Sequence, residues 1–233
     1  MKKCIYIATH VPFIPPKSKL YKPIQVGSMI YPDLPYLKDS NGQNISNKNP
    51  YYCELTALYW MWKNSEEDVV GLAHYRRYFT KILDSISPNL SLNMIYRDNC
   101  IILPKPLDFG TYTVKEQYTL CHHYQDYEIC EKIVQKLYPK YQDSFKSISN
   151  QNKLYCWNMF IMHRGLLNDY CNWLFPILET LEELIEYKQY DSYNKRIFGF
   201  LAERLFNVWI HHQKKEILEL DVSHIDSVQK TLK

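Results

Sequence analysis

The residues best placed to do chemistry close the apolar run VVGLAHYRRYF of residues 69–79: His74, Tyr75, Arg76 and Arg77. A guanidinium presents a planar fork of donors that matches the oxygens of a phosphate or carboxylate, so two side by side suit an anionic ligand. Val69, Val70, Leu72 and Ala73 form a short, β-branched apolar stretch of the kind buried on both faces of a parallel sheet. The four polar residues then fall at the strand's carboxyl end, the side of an open α/β sheet on which ligands bind. An isolated arginine pair can also simply be held by acidic side chains at a strand end.

A second reactive set lies in DSYNKRIFGFLAERLFNVWIHH, residues 191–212. Phe198, Leu201, Leu205 and Val208 form one apolar face, and Phe200, Phe206, Trp209 and Ile210 extend it almost all round, the mark of an internal helix. Glu203, Arg204 and Asn207 interrupt it within an arc of about 100°. Three polar groups on a buried helix need partners, either a network of their own or a polyhydroxylated ligand in a cleft. Asn158, inside the apolar LYCWNMFIMH of residues 154–163, poses the same choice, because a buried amide must satisfy both its carbonyl and its amino group. Glu54 lies about 60° from the centre of a helical stripe of Tyr51, Leu55, Leu58 and Trp62, which makes it a carboxylate at the edge of the core. The adjacent His122 and His123 point about 100° apart on a helix and make a poor metal pair. Seven cysteines without a CxxC pair read as free thiols, not as a disulfide or zinc framework.

These groups need a scaffold. Residues 3–9, KCIYIAT, read as a central first strand that delivers Thr9 and His10 into a proline-broken segment. The stretch on to Pro50 reads as a long loop with an Asn41-Gly42 turn, covering a binding site. Asn49-Pro50 starts a helix running through YYCELTALYWMWKN. A helix-containing connection over residues 84–98, a strand at CIIL (100–103), helical spacing over 113–138 and a helix over 166–187 kinked or divided at Pro176 follow. The residues after Lys214 read as a charged, peripheral surface segment. Residues 3–9, 69–74, 101–103 and 158–162 are expected to be neighbouring strands of one mostly parallel or mixed sheet flanked by helices.

With 233 residues and 46% apolar content the chain suits one α/β domain. A formal charge of +3 is too balanced for a nucleic-acid coat, so any basic site must be local. The N-terminal apolar run is short for a signal peptide, and no run approaches the ~20 residues that span a bilayer. A soluble cytoplasmic protein is expected. The 21 tyrosines can line a sugar or base cleft, although their ordinary place is core and boundary packing.

The segments IATH, IQVGS, NISNKNPYYCELTALYWMWKN, VVGLAHYRRYF, IILPKP, LYCWNMFIMH and RIFGFLAERLFNVWI, in this order over nearly the whole chain, resemble a bacterial family of capsular and exopolysaccharide biosynthesis proteins. That family is catalogued as a domain of unknown function and regarded as glycosyltransferase-like. The resemblance implies one GT-A-like domain over residues 1–233. It implies a nucleotide-sugar donor, with a UDP-sugar as first expectation, and a lipid-linked or oligosaccharide acceptor met at the inner face of the membrane. Thr9 and His10 would lie near base or ribose. GT-A enzymes usually hold Mn²⁺ or Mg²⁺ through a DxD motif, but here His74, Tyr75, Arg76 and Arg77 take that place, so no metal ligand is carried over. Fixed cations aimed at the departing diphosphate could do the metal's electrostatic work. Glu203 lies where the family resemblance puts an acidic motif and is the first candidate for the base that an inverting enzyme needs, ahead of Glu54 and Asp191. Asn158, Arg204, Glu54 and Asp191 are the sugar or acceptor contacts. A retaining reaction stays open, as do galactofuranose and ordinary hexopyranoses. The competing readings are a catalytically inactive nucleotide-sugar or glycan-binding subunit of an assembly complex, and a single-strand nucleic-acid platform that the near-neutral charge opposes.

Overall fold

The computed structural model describes residues 2–79 and 100–224. The strands are β1 (Lys3–Thr9), β2 (Tyr21–Gln25), β3 (Leu37–Lys38), β4 (Val69–His74), β5 (Arg77–Phe79), β6 (Cys100–Pro104), β7 (Leu107–Asp108), β8 (Lys153–Leu154), β9 (Phe160–His163), β10 (Glu216–Leu220) and β11 (Val222–His224). The helices longer than one 3-10 turn are α1 (Asn49–Tyr52), α2 (Leu55–Asn64), α3 (Val114–Cys121), α4 (Tyr124–Leu137), α5 (Gln142–Asn150), α6 (Arg164–Leu184) and α7 (Ile197–Gln213).

The main sheet runs β10-β6-β9-β4-β1-β2-β3, with β5 and β11 attached beyond the end of β4. Its pairings are parallel except where β9 lies antiparallel between β4 and β6, and where β5 turns back on β4 and pairs with β11. The expected neighbours β1, β4, β9 and β6 are therefore adjacent, and the single-domain mixed α/β architecture is the one the sequence implies. Alternate residues explain the burial. Cys4, Tyr6, Ala8, Val70 and Leu72 face a core shared with the helices, whereas Ile5, Ile7, Val69 and Ala73 pack on the opposite face with Tyr78, Phe79 and Ile161. Two covered faces are what a near-continuous apolar strand requires. At Gly71 a Cβ would stand 3.0 Å from the Phe160 carbonyl and from Ile161, so the β4–β9 contact needs a residue without one.

Several elements depart from the sequence reading. The stretch before Pro50 supplies β2, paired between β1 and β3, and the edge strand β3, which are too short and too proline-punctuated to show an alternating pattern. The helix expected from Pro50 to Asn64 is broken: Lys48, not Asn49, is its N-cap, and Cys53 adopts φ 51°, ψ −129°. Asn49 holds that break by donating its amide to the Cys53 carbonyl at 2.7 Å. The 113–138 region is two helices. A Thr113–Glu116 capping box starts α3, and the chain turns at His122-His123 before α4. Beyond Leu154, which ends β8, only the close of 154–163 is strand, because Trp157 and Asn158 both have positive φ and Asn207 takes over the Tyr155 backbone N–H and carbonyl, at 3.0 and 2.8 Å. Asn158 thus lies just before β9, in an irregular segment. Helix α6 runs undivided through Pro176. The segment after Lys214 is peripheral but ordered in the sheet: β10 pairs with β6 at its edge, β11 pairs with β5, and of residues 215–223 Leu220 is buried and the others are exposed or half-buried. The connection expected over 84–98 lies outside the described residues, as do residues 225–233.

Candidate active site

Three parallel strand ends open into one cavity of about 660 Å³. Ala8 and His10 come from the end of β1, Val26 from the end of β2, and His74, Tyr75, Arg76 and Arg77 from the end of β4. The α1–α2 break adds Asn49, Pro50, Cys53 and Glu54, the segment before β9 adds Trp157, and α7 with its approach adds Tyr193, Arg196, Phe200 and Glu203. The position is the one open α/β sheets use for ligands, outside the carboxyl ends of the strands. Arg196, Phe200 and Glu203 are spaced i, i+4, i+7, so one helical stripe presents them together.

The charges are uneven: three guanidiniums against two carboxylates. Arg76 is exposed at the hairpin tip, its guanidinium 5.0 Å from the Tyr75 ring. Arg77 is half-buried, stacks on Trp157 at 4.9 Å, and carries a buried Nε to which the described residues offer no acceptor. Arg196 donates to the Cys53 thiol at 3.3 Å and lies over Phe200. Burial pushes that thiol up to about 12, so Cys53 is present as a neutral group.

Trp157 and Asn158 tie the polar groups together. The Trp157 N–H donates to Glu203 Oε1 at 2.8 Å, its carbonyl accepts from His74 Nε2 at 2.6 Å, and the Asn158 amide donates to Glu54 Oε1 at 2.6 Å. Because a carbonyl only accepts, His74 keeps its proton on Nε2. Burial holds the His74 pKa below the usual histidine value despite the nearby Glu54 charge. Burial, reinforced by Arg76 and Arg196, also lowers His10. Glu203 moves the other way: burial raises it, against the opposing pull of Arg204 and with the Glu54 charge adding to the rise.

Of the residues singled out from the sequence, His10, Glu54, His74, Tyr75, Arg76, Arg77 and Glu203 line the cavity. Thr9 does not; it is buried and its hydroxyl donates to the Val11 carbonyl, shaping the turn that carries His10. Asn158 is buried behind Glu54. Arg204 points away, donating to Gln117 at 2.6 Å and to the Phe200 carbonyl at 3.0 Å, and pairs with Glu203 at 3.1 Å. Asp191 accepts from the Tyr193 and Asn194 backbone, holding the turn that brings Tyr193 to the rim. Sequence reasoning missed Tyr31, Trp157, Tyr193, Arg196 and Phe200 as wall residues. The i, i+4, i+7 spacing of Arg196, Phe200 and Glu203 is the signal in the sequence that marks this wall.

Behind this wall His122 stacks on Phe200 at 4.1 Å and on Tyr193 at 5.6 Å. Burial, with Arg204 adding, brings its pKa down to about 4. A depressed value means that the neutral ring stabilises the fold above the ordinary histidine pKa, and that this contribution is lost as pH falls through ~6.5 towards 4. Urea unfolding at pH 7 and pH 4.5 should therefore show a parental loss of stability larger by about 1 to 2 kcal/mol than that of His122→Gln, after allowing for partial exposure. Equal losses would show that His122 does not carry the effect.

A separate cavity of about 310 Å³ lies along Glu182, Ile185, Glu186 and Tyr187. Its Glu182 carboxylate is already met by Lys48 at 2.7 Å, Tyr52 at 2.8 Å and Tyr187 at 3.1 Å, so that site is internally satisfied.

No curated protein matches the chain. Among solved structures it is similar to one described as WbbM, a bifunctional glycosyltransferase in its apo form, at 30% identity and a TM-score of 0.90. That likeness covers 97% of this chain and 46% of the other, so the present chain spans less than half the length of WbbM. The sequence profile of a family described as a domain of unknown function, DUF4422, matches residues 4–215. With nearly the whole chain inside that match, the protein belongs to the DUF4422 family.

Proposed function

We propose that the protein is a glycosyltransferase that moves a sugar from a nucleotide-sugar donor to a hydroxyl of a growing cell-surface glycan. The observation that carries this reading is the meeting of Arg76, Arg77 and Arg196 with Glu54 and Glu203 in one cavity. The likeness to a bifunctional glycosyltransferase supports it, and of that protein's two activities the reading takes sugar transfer in general. In this reading the donor diphosphate lies against the guanidiniums, and the nucleoside base lies by His10, Tyr31 and Tyr75. The His10 ring is centred 6.2 Å from Tyr31 and 5.6 Å from Tyr75, an aromatic group suited to stacking a base. The sugar then reaches towards the carboxylates, where the acceptor enters.

In this reading the diphosphate is met by guanidiniums and not through a divalent metal. The described residues hold no group of three His, Cys, Asp or Glu side chains that could bind one, and the strand end where carboxylates would be needed carries two cations instead. Guanidiniums preorganised around the leaving group stabilise the charge that develops on it. The donor is a UDP-sugar of hexopyranosyl or galactofuranosyl form, and the acceptor an oligosaccharide or lipid-linked glycan at the inner face of the membrane. No helix among the described residues is long and apolar enough to cross a bilayer.

The test is a panel of UDP-, GDP- and dTDP-sugars with oligosaccharide acceptors, scored by thermal stabilisation and by nucleoside diphosphate release coupled to product. A UDP-sugar should stabilise the protein and be turned over equally well with and without EDTA. Activity that vanishes with EDTA and returns with Mn²⁺ would overturn the metal-free assignment. Stabilisation without turnover of any donor would favour the inactive binding subunit.

A further inference from the structure

The two carboxylates of the cavity are not equivalent, and their surroundings separate their work. Glu203 is occupied on both oxygens: Oε1 accepts from the Trp157 amide at 2.8 Å and Oε2 from Arg204 at 3.1 Å. Arg204 has a side chain only 5% exposed, and Glu203 is the carboxylate that pairs with it. A proton placed on Glu203 would cancel that pair and leave a buried guanidinium uncompensated, a state proteins avoid. Arg204 therefore favours the charged form of Glu203, against the burial that raises its pKa, and loses its ionic partner whenever Oε2 takes a proton.

Glu54 has no such obligation. Its Oε1 accepts from the neutral Asn158 amide at 2.6 Å, while no described residue donates to Oε2. A neutral hydrogen-bond partner tolerates either protonation state of the carboxylate, so the Asn158 contact survives when a proton arrives, and the loss of the Glu54 charge relieves the repulsion that raises Glu203. The backbone has been bent to place this group. Among the described residues four non-glycine positions have positive φ, and three of them, Cys53, Trp157 and Asn158, adjoin Glu54 in sequence or carry the contacts that hold the two carboxylates. Left-handed conformations at such residues are costly and gather where a site needs them. The Asn158 amide also reaches the Gly199 carbonyl at 3.3 Å, which pins its orientation to α7 and aims the Glu54 carboxylate by a second contact.

We infer that Glu54 is the catalytic base, that Asn158 positions it, and that Glu203 is a structural counter-ion to Arg204. This rests on the glycosyltransferase reading above and specifies it as an inverting reaction. As the acceptor oxygen bonds to the anomeric carbon, its proton passes to Glu54 Oε2. The bond from the anomeric carbon to the phosphate oxygen breaks, and its electron pair leaves on the nucleoside diphosphate, where Arg76, Arg77 and Arg196 meet the charge.

The experiment compares Glu54→Gln, Glu54→Asp and Glu203→Gln with the parent, measuring kcat, KM, UDP affinity and melting temperature on the full chain. Glu54→Gln keeps the shape but not the base, so kcat should fall by about a hundredfold or more with UDP affinity and melting temperature unchanged. Glu54→Asp restores a base on a shorter arm and should recover at least about tenfold over Glu54→Gln. Glu203→Gln removes the charge that balances the buried Arg204 and should lower the melting temperature, which Glu54→Gln does not. The anomeric configuration of the product should be opposite to that of the donor. An active parent whose Glu54→Gln variant keeps its kcat within threefold, or whose product retains the donor configuration, overturns this assignment and leaves the glycosyltransferase reading standing. A parent that transfers no sugar from any donor of the panel removes that reading, and this assignment with it.

Discussion

Replacing Arg77 by alanine is expected to weaken UDP binding by close to a hundredfold, and replacing Arg76 by nearer tenfold. Both side chains end the same strand, but their settings differ. Arg76 is exposed, and a charged contact there is screened by solvent. Arg77 is half-buried against Trp157 with its Nε unmet among the described residues, and burial and the Arg76 charge both lower its pKa. A partly desolvated cation whose Nε has no acceptor among the described residues, and whose carboxylate neighbours Glu203 and Glu54 act only through their charge, gains more from an arriving diphosphate than one already hydrated. Losing a charge-assisted contact costs roughly 1.5 to 3 kcal/mol, which is about ten- to a hundredfold in affinity. The corollary concerns stability: relief of the desolvated guanidinium is offset by the lost attraction to Glu203 and Glu54, so the melting temperature of Arg77→Ala should stay close to the parent's. Calorimetric titration with UDP at fixed ionic strength, together with a melting curve, measures both. Parental affinity in both variants would refute the assignment of these arginines to the diphosphate.

The largest effect on stability is expected at Asp39, a residue with no part in the chemistry. Its carboxylate is fully buried and accepts from the Gly27 N–H at 2.8 Å, the Ser28 N–H at 3.1 Å, the Ser28 hydroxyl at 2.9 Å and the Ser46 hydroxyl at 2.5 Å. These bonds hold the turn after β2 that carries Val26 and Tyr31 to the cavity. The turn is tight: Gly27 has φ 66°, and a Cβ there would stand 2.7 Å from the Tyr31 ring and 2.9 Å from Asn49. Asp39→Ala leaves the buried Gly27 N–H and the half-buried Ser28 N–H without their acceptor, at about 1 to 3 kcal/mol for the first and less for the second, so a total loss of about 2 to 4 kcal/mol follows. Urea denaturation measures it. UDP affinity should fall alongside, since Tyr31 loses its support. A change below about 1 kcal/mol would show that water replaces the carboxylate without cost.

The sequence by itself determined the strands whose burial leaves them no alternative. VVGLAH and KCIYIAT are apolar on both faces, and only a covered position in a sheet accommodates that, so β1 and β4 and the polar cluster at the end of β4 were legible from residue types alone. The same holds for α7, apolar almost all round and hence internal. Tertiary structure decided the breaks. Nothing local in NPYYCELTALYW asks for a left-handed Cys53; the Asn49 amide and the packing of α7 impose it, and with it the direction of Glu54. Likewise LYCWNMFIMH reads as one strand because its residues are apolar, yet Asn207, forty-nine positions beyond Asn158, satisfies the backbone of Tyr155 and lets the chain leave the sheet. The sign of the difference between Glu54 and Glu203 was decided in the same way. In the sequence Glu54 edges one apolar stripe and Glu203 interrupts another beside Arg204; only the folded chain shows that the arginine is buried against Glu203 and that Glu54 meets a neutral amide.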